Sequence, residues 1–390
     1  MTSCLEWLEC SRCGAAVSLE AAGVCACGGI LLARYRLDEA GRTMTRASIA
    51  SRGPTMWRYA EVLPGSDDPV TLGEGMTPLL RLRFIERELG AQAIWLKDEA
   101  LEPTGSFKAR GMAPAITMAR NAGARRVALP SAGNAGSAAA AYAALAGLAV
   151  DLFLPADTPE PFFLEAAAFG ARVHRIAGDI GACGRAMRAH PDAGRWTDLS
   201  TFREPYRCEG KKTLGYEIAE QLGWTLPDAI VYPAGGGTGL VGMWKAFAEM
   251  ESLGLVPKGP RPRMIAVQAE GCAPIAGAFA SGAAEPAAVT APFTYACGLR
   301  VPAPLAGSLV LAAVHASNGC AIAVSDRAMA RGQVDLARGE GVVACPEGGA
   351  TLAAARALLA AGLLLPSERI VLFNTATGLK VPSIPGLSTS

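Results

Sequence analysis

Histidine is nearly missing from this chain: among 390 residues there are three, His174, His190 and His315. Histidine-based catalysis and histidine-rich metal sites therefore have few candidates. Charge of one sign is missing as well, since 36 Lys and Arg against 35 Asp and Glu leave a formal net charge of +1. A nucleic-acid binder carries a basic excess or a basic stripe, and neither is visible. No hydrophobic run is long enough to span a bilayer. The most apolar stretch, from Ser137 to Pro155, is mostly alanine and is broken by Asp151; it predicts a buried helix followed by a strand. The N-terminus has no basic region followed by an apolar run, so no secretory signal is expected. No repeat at solenoid spacing is present.

What is there points to a large packed core. Hydrophobic residues make up 51% of the chain and charged residues 18%, and the length suits two or three modules. Of the 11 cysteines, Cys4, Cys10, Cys13, Cys25 and Cys27 crowd the N-terminal region and the others are scattered. An odd total with most members isolated argues against a disulfide framework and for a reducing compartment, so a cytoplasmic location is expected.

Residues 1–38 form a distinct cysteine-rich unit, with Cys10-x-x-Cys13 followed by Cys25-x-Cys27-Gly28-Gly29. Four thiolates converging from two such knuckles suit tetrahedral Zn(II). The second pair has one intervening residue where a zinc knuckle usually has two. The same cysteines also suit a ribbon without metal, in which they are buried as small hydrophobes. Either way the unit is structural, because four protein ligands leave no open position for chemistry.

Residues 39–390 form the remainder, entered through a polar stretch from about Asp38 to Asp68. Short β-branched runs then alternate with alanine-rich helical ones. Strands are predicted at 94–96, 127–129, 150–154, 172–176, 229–232, 264–267 and 370–373. The alternation predicts an α/β fold, with parallel sheets covered by helices on both faces.

Ligands in open α/β sheets bind beyond the carboxyl ends of strands, and three such ends carry unusual residues. The first is Pro103-Thr104-Gly105-Ser106-Phe107-Lys108. Its turn residues, with Ser106 placed to cap a helix, put Lys108 in a first helical turn, where a cation opposes the helix dipole. A Schiff-base amine, held near a cofactor and desolvated to lower its pKa, accounts for that placement; so does a solvated lysine at a helix start. The second is Ser131-Ala132-Gly133-Asn134 after strand 127–129. Its glycine lets backbone approach a ligand and the following helix N-terminus suits a carboxylate; an ordinary capped turn has the same look. The third is Gly235-Gly236-Gly237-Thr238-Gly239 after strand 229–232. It suits a phosphate nest, matches neither a Walker A loop nor a dinucleotide turn, and is otherwise a bare glycine-rich turn. A lysine, a phosphate cradle and a carboxylate site are together what pyridoxal 5′-phosphate (PLP) requires.

These segments resemble the fold-type II PLP enzyme family, and within it the threonine synthases. Residues 103–108 are similar to the family's Schiff-base lysine motif. Residues 131–134 resemble the loop whose Asn faces the cofactor 3′-oxygen and whose backbone holds the substrate carboxylate. Gly235 to Gly239 resemble the cofactor phosphate loop. Asn374-Thr375-Ala376-Thr377-Gly378-Leu379-Lys380 resembles a segment in which, by the match, Thr375 meets the pyridine nitrogen. A neutral hydroxyl there makes the ring a weaker electron sink, which suits β- or γ-elimination and replacement. Once displaced by substrate, Lys108 is the natural base for the α-proton. The N-terminal cysteine ribbon also occurs in some threonine synthases.

The resemblance implies two α/β domains, the smaller at about 111–194 inserted in the larger, that close on the substrate. It also implies a homodimer and a small amino-acid substrate. The activity it implies is conversion of O-phosphohomoserine and water to threonine and phosphate, with Arg207 facing the substrate phosphate and Lys211 or Lys212 nearby; all three are otherwise surface charge. Departures favour a second activity, β-elimination or β-replacement on serine, threonine or an O-phosphoserine-like substrate. Ala109 stands where threonine synthases usually have Asp, the phosphate loop is of the amino-acid dehydratase type, and no Gly-Lys follows Pro155. A third reading is a non-catalytic PLP- or zinc-binding regulator, against which Lys108, Asn134 and Thr375 all argue.

Overall fold

All seven strands expected from the β-branched runs form, and most of the alanine-rich runs between them are helical. The computed structural model describes residues 2–19, 23–381 and 383–387. The chain divides into two units, Met1–Met76 with Lys108–Tyr216 and Lys245–Lys258, and Thr77–Phe107 with Glu217–Trp244 and Gly259–Ser390.

The first unit begins with an antiparallel ribbon in which strand Leu5–Cys10 lies between Ala16–Val17 and Leu31–Tyr35. The polar stretch that follows is packed. Met56, Tyr59, Val62 and Leu63 are fully buried, and Arg52 forks onto Glu61 at 2.6 and 2.7 Å. Its polar side chains are used in internal pairs, a distinction that composition does not carry. The main sheet of this unit is parallel, in the order Arg172–Ile176, Ala149–Pro155, Arg126–Pro130, Thr197–Asp198. Ala149–Pro155 is buried at every position after its first, as a parallel strand covered on both faces requires. Met112, Ile116, Tyr142, Val127, Leu129 and Leu152 form its core.

Helices Lys108–Asn121 and Tyr206–Gln221 cross backbone to backbone in this unit. A Cβ on Gly210 would sit 1.7 Å from the Arg110 carbonyl oxygen, and one on Gly111 would sit 2.9 Å from the Arg207 carbonyl oxygen. Pro114 contributes to this closeness, because it has no N–H to give the Arg110 carbonyl four residues earlier.

The second unit holds a six-stranded sheet in the order Cys320–Val324, Arg263–Ala269, Ala229–Pro233, Arg369–Asn374, Ala93–Asp98, Leu79–Arg81. All pairings are parallel except the last, an antiparallel edge. Both edge strands escaped the sequence reading: Leu79–Arg81 is three residues long, and Cys320–Val324 is half-buried and has alanine at alternate positions. Among the described residues no helix is long and apolar enough to cross a membrane.

The helix crossing gives a direct test. Gly210→Ala forces the two backbones apart and is expected to lower unfolding free energy by about 1–3 kcal/mol, the usual cost of overpacking. Urea denaturation measures it, and an unchanged midpoint would contradict the close approach.

Candidate active site

In the second unit, strand Ala93–Asp98 leads into two short 3-10 turns, Glu99–Leu101 and Pro103–Gly105. Thr104 and Gly105 both adopt positive φ, +59° and +61°, and a Cβ on Gly105 would lie 2.8 Å from Thr377 Cγ2. Residues 105–107 then pair antiparallel with 375–377. Phe107 N–H donates to the Thr375 carbonyl (3.0 Å), Thr377 N–H donates to Gly105 (2.9 Å), and Ser106 bridges Ala376. Ser106 therefore does not cap the helix: it is extended, and its buried Oγ has no hydrogen-bond partner. Thr375 is buried, with Oγ1 3.6 Å from Cys345 Sγ. Asn374 ties this corner together, donating to Asp98 Oδ1 at 2.8 Å and accepting from Cys345 N–H at 3.1 Å.

The glycine loop follows strand Ala229–Pro233 and opens helix Thr238–Ser252. Gly235, Gly237 and Gly239 are required by packing. A Cβ would stand 2.1 Å from the Gly298 carbonyl at Gly235, 2.4 Å from Val310 at Gly237 and 2.0 Å from the Tyr232 hydroxyl at Gly239. Gly237 also has φ +78°. The first N–H groups of a helix have no intrahelical acceptor, a geometry that suits an anion.

In the first unit, Lys108 is the first residue of helix Lys108–Asn121 and is half-buried. Ser131 holds its own turn: Oγ accepts N–H bonds from Gly133 (3.1 Å) and Gly136 (2.8 Å). Ala132 is half-buried, and Gly133, at φ +131°, lies under the Phe162 ring, 3.1 Å from a Cβ placed there. Asn134 starts the next helix, and its buried Oδ1 has no hydrogen-bond partner. Arg207 is buried, donates to the Leu199 carbonyl at 2.6 Å and leaves its buried Nε without a partner.

A model of the family described as pyridoxal-phosphate dependent enzymes matches residues 70–376. The chain belongs to that family. It is 34% identical to a threonine synthase of Methanocaldococcus jannaschii over 378 residues, covering 96% of this chain and 93% of that one. A solved threonine deaminase of T.th. is 26% identical with TM-score 0.64, covering 77% of this chain and 92% of that one. Maize serine racemase, at 22% identity and TM-score 0.65 over 77% of this chain and 88% of that one, shares the fold. The protein is a PLP-dependent lyase of fold type II with a threonine-synthase-like role.

The residues present fit PLP. In the first unit a buried polar atom of Asn134 lacks a protein partner, and in the second so does one of Ser106; the second unit also has the glycine-rich turn before helix Thr238–Ser252 and a neutral hydroxyl at Thr375. For a PLP enzyme the two lysines after Arg207 differ in use, and the surface-charge reading fails for both, since each is fully buried. Lys212 is committed elsewhere, to Glu209 at 2.8 Å and Glu249 at 2.9 Å, with Lys245 closing a two-plus, two-minus cluster over the Tyr35 ring. Lys211 instead lies over Gly111 on the Lys108 helix, its Nζ 2.5 Å from where a Cβ would be. Burial first, then Arg207 and Lys108, push its pKa well below the ordinary lysine value. Sequence reasoning missed the Lys212 cluster, because its charged members come from two separate helices, and it missed Cys345, although Cys-Pro at a helix start is a capping signal.

The charge cluster sets a pH dependence. Burial opposes ionisation of Glu209, but Lys212 and Lys245 outweigh it and hold the carboxyl below its usual value. A carboxylate lowered in the folded state adds stability above its unfolded pKa, and that stability is lost as pH falls through the folded value. Unfolding free energy measured across the acid range is therefore expected to fall less steeply in Glu209→Gln than in the wild type; equal slopes would contradict the pairing.

Proposed function

We propose that the protein converts O-phosphohomoserine and water to L-threonine and phosphate. The observation that carries this reading is identity to a threonine synthase at 34% across 96% of the chain. PLP would supply the electron sink for the carbanion left when the α-proton is removed. Lys108 would hold the cofactor by its amine and serve as the α-proton base; Gly235, Gly236, Gly237, Thr238 and Gly239 would hold its phosphate. By the resemblance, Asn134 would face its 3′-oxygen and Thr375 its ring nitrogen. Ser131, Ala132, Gly133 and Asn134 take the substrate carboxylate. Arg207 takes the leaving phosphate, supported by Lys211: both are buried bases whose desolvation as cations a dianion offsets. By resemblance the enzyme works in the cytoplasm as a homodimer on a small amino acid.

A β-eliminating deaminase or β-replacement enzyme is the second reading, favoured by Ala109 beside Lys108 and by the glycine loop. The deciding assay supplies PLP-loaded protein with O-phosphohomoserine, and in parallel with L-serine, L-threonine and O-phosphoserine. Phosphate release with threonine formation, reduced at least about a thousandfold in Lys108→Ala, supports the first reading. Keto acid from a hydroxy amino acid, without turnover of phosphohomoserine, would replace it with the second.

We also propose that Cys10, Cys13, Cys25 and Cys27 bind Zn(II). Their sulfurs lie within 4.8 Å of one another, with separations of 3.4, 3.6 and 3.8 Å. Tetrahedral thiolates at about 2.3 Å from zinc stand about 3.8 Å apart. Gly29 permits the approach, since a Cβ there would be 2.5 Å from Cys10 Sγ. Elemental analysis is expected to find about one zinc per chain, lost in Cys13→Ser with Cys25→Ser; protein purified with zinc in the medium yet metal-free would end the proposal.

A further inference from the structure

We infer that the buried side chains of Glu204 and Lys211 together take up a proton when a dianion binds at Arg207, and that this uptake selects a phosphate-bearing substrate over a neutral one. This rests on the reading that Arg207 takes the substrate's phosphate.

Glu204, Arg207 and Lys211 meet where helix Tyr206–Gln221 begins. Glu204 precedes the helix, and its carboxylate accepts from the N–H groups of Tyr206 and Arg207, the second at 3.0 Å. Arg207 and Lys211 are one turn apart and share a face of the helix. That face lies against helix Lys108–Asn121, where Lys211 Nζ reaches over Gly111; the amine also donates to the Arg207 carbonyl at 3.4 Å. All three side chains are out of water, Glu204 being 6% exposed, Arg207 2% and Lys211 0%. The Arg207 guanidinium gives one hydrogen bond to the neutral Leu199 carbonyl and keeps its buried Nε without a partner.

The permanent positive charge of this cluster is too small for a dianion. A guanidinium keeps its charge across working pH, but the negative charges of Glu204 and Asp198 already act on Arg207. Asp198 is held in place by Ser200 N–H, which donates to its Oδ1 at 2.7 Å. The Lys211 ammonium is disfavoured by burial first, then by the charges of Arg207 and Lys108; Cys208 and Glu204 counter this less. Burial also pushes the Glu204 carboxyl up to about 7, against the opposing pull of Arg207, the two N–H groups and Lys211. The Tyr206 hydroxyl, pushed up by burial and then by Glu204, stays neutral. Two further negative charges out of water leave an imbalance that is costly to sustain. A nearby anion favours the protonated form of an amine and of a carboxyl alike. A proton on Lys211 adds a second cation, and a proton on Glu204 removes a competing anion. A hydroxy amino acid brings no such charge to Arg207 and draws no proton. The sign of the pH dependence follows. A group whose pKa rises on binding strengthens the complex below its unliganded value, and that gain is lost as pH rises toward the bound value. With Glu204 at about 7, dianion affinity is full below that pH and falls above it.

The test is titration calorimetry of PLP-loaded holoenzyme with sulfate, a dianion with no titrating proton of its own, in buffers of different ionisation enthalpy. The dependence of the heat on the buffer counts the protons taken up and needs no turnover. At about pH 8 the wild type is expected to take up about half a proton or more per sulfate, and its dissociation constant to rise with pH, toward about tenfold per unit. Glu204→Gln keeps an acceptor for the helix start and removes the charge. It is expected to bind sulfate about 3- to 10-fold more tightly than the wild type at about pH 8, a gain that damage to the cap would not give. Lys211→Met keeps the buried stem, and is expected to bind sulfate less tightly with less proton uptake. Uptake below about half a proton in the wild type overturns the inference. So does a Glu204→Gln protein that binds no more tightly than the wild type, or a Lys211→Met protein unchanged in both affinity and uptake. Arg207→Met separates the two levels. If it abolishes sulfate binding while the wild type takes up no proton, only the roles of Glu204 and Lys211 fall. If it leaves sulfate binding unchanged, or the wild type binds no sulfate, the reading of Arg207 itself falls.

Discussion

The parallel register between Ala93–Asp98 and Arg369–Asn374 is the constraint on which the second unit's chemistry depends. It sets Asn374 opposite Asp98, and the side-chain bond between them closes the carboxyl end of the pair. The two chains then continue side by side beyond the sheet, so that 105–107 and 375–377 hydrogen-bond to each other. A slip of one residue would turn Thr375 to the opposite face, and Asn374 would lose both Asp98 and the Cys345 amide. Each bond contributes only about 1 kcal/mol net, but leaving these buried groups unpaired costs more.

Buried charge is handled repeatedly by close pairing. Lys97 is fully buried, and its three N–H groups meet the Thr77 carbonyl (2.7 Å), Glu217 (2.8 Å) and Gln221 (3.0 Å). The Glu209, Lys212, Lys245 and Glu249 cluster balances four charges in the first unit. Such sites add little to stability compared with apolar packing, but they tolerate few alternative arrangements. Against that background Arg207 stands out. Its guanidinium donates to a neutral carbonyl, that of Leu199, and its buried Nε has no partner. Glu204, an acid close in sequence, spends its oxygens on the backbone N–H groups of Tyr206 and Arg207. That contrast is the physical reason to read Arg207 as a cation set aside for an anionic ligand.

How much was legible beforehand follows from the range of the interactions. Lys108, Asn134, the Gly235–Gly239 loop and Thr375 all sit at strand ends or helix starts, where turn chemistry and helix capping are written in a few adjacent residues. The same local logic located the seven strands. It misjudged Ser106, because tertiary pairing with Ala376 drew that residue into an extended conformation and away from the cap. It left Lys211 and Lys212 indistinguishable, since neighbours in sequence on one helix point about 100° apart and only the packing partners on each side decide their roles.

The sequence by itself determined the α/β class, the lysine at a helix start, the glycine-rich turns and the cysteine ribbon, since each is a matter of residues within one turn or one strand. Tertiary structure alone decided that Lys212 is neutralised while Lys211 lies over Gly111, that Gly210 is required by the Arg110 carbonyl, and that Cys345 touches Thr375. Those facts depend on segments tens to hundreds of residues apart, brought together by close packing that no local pattern encodes.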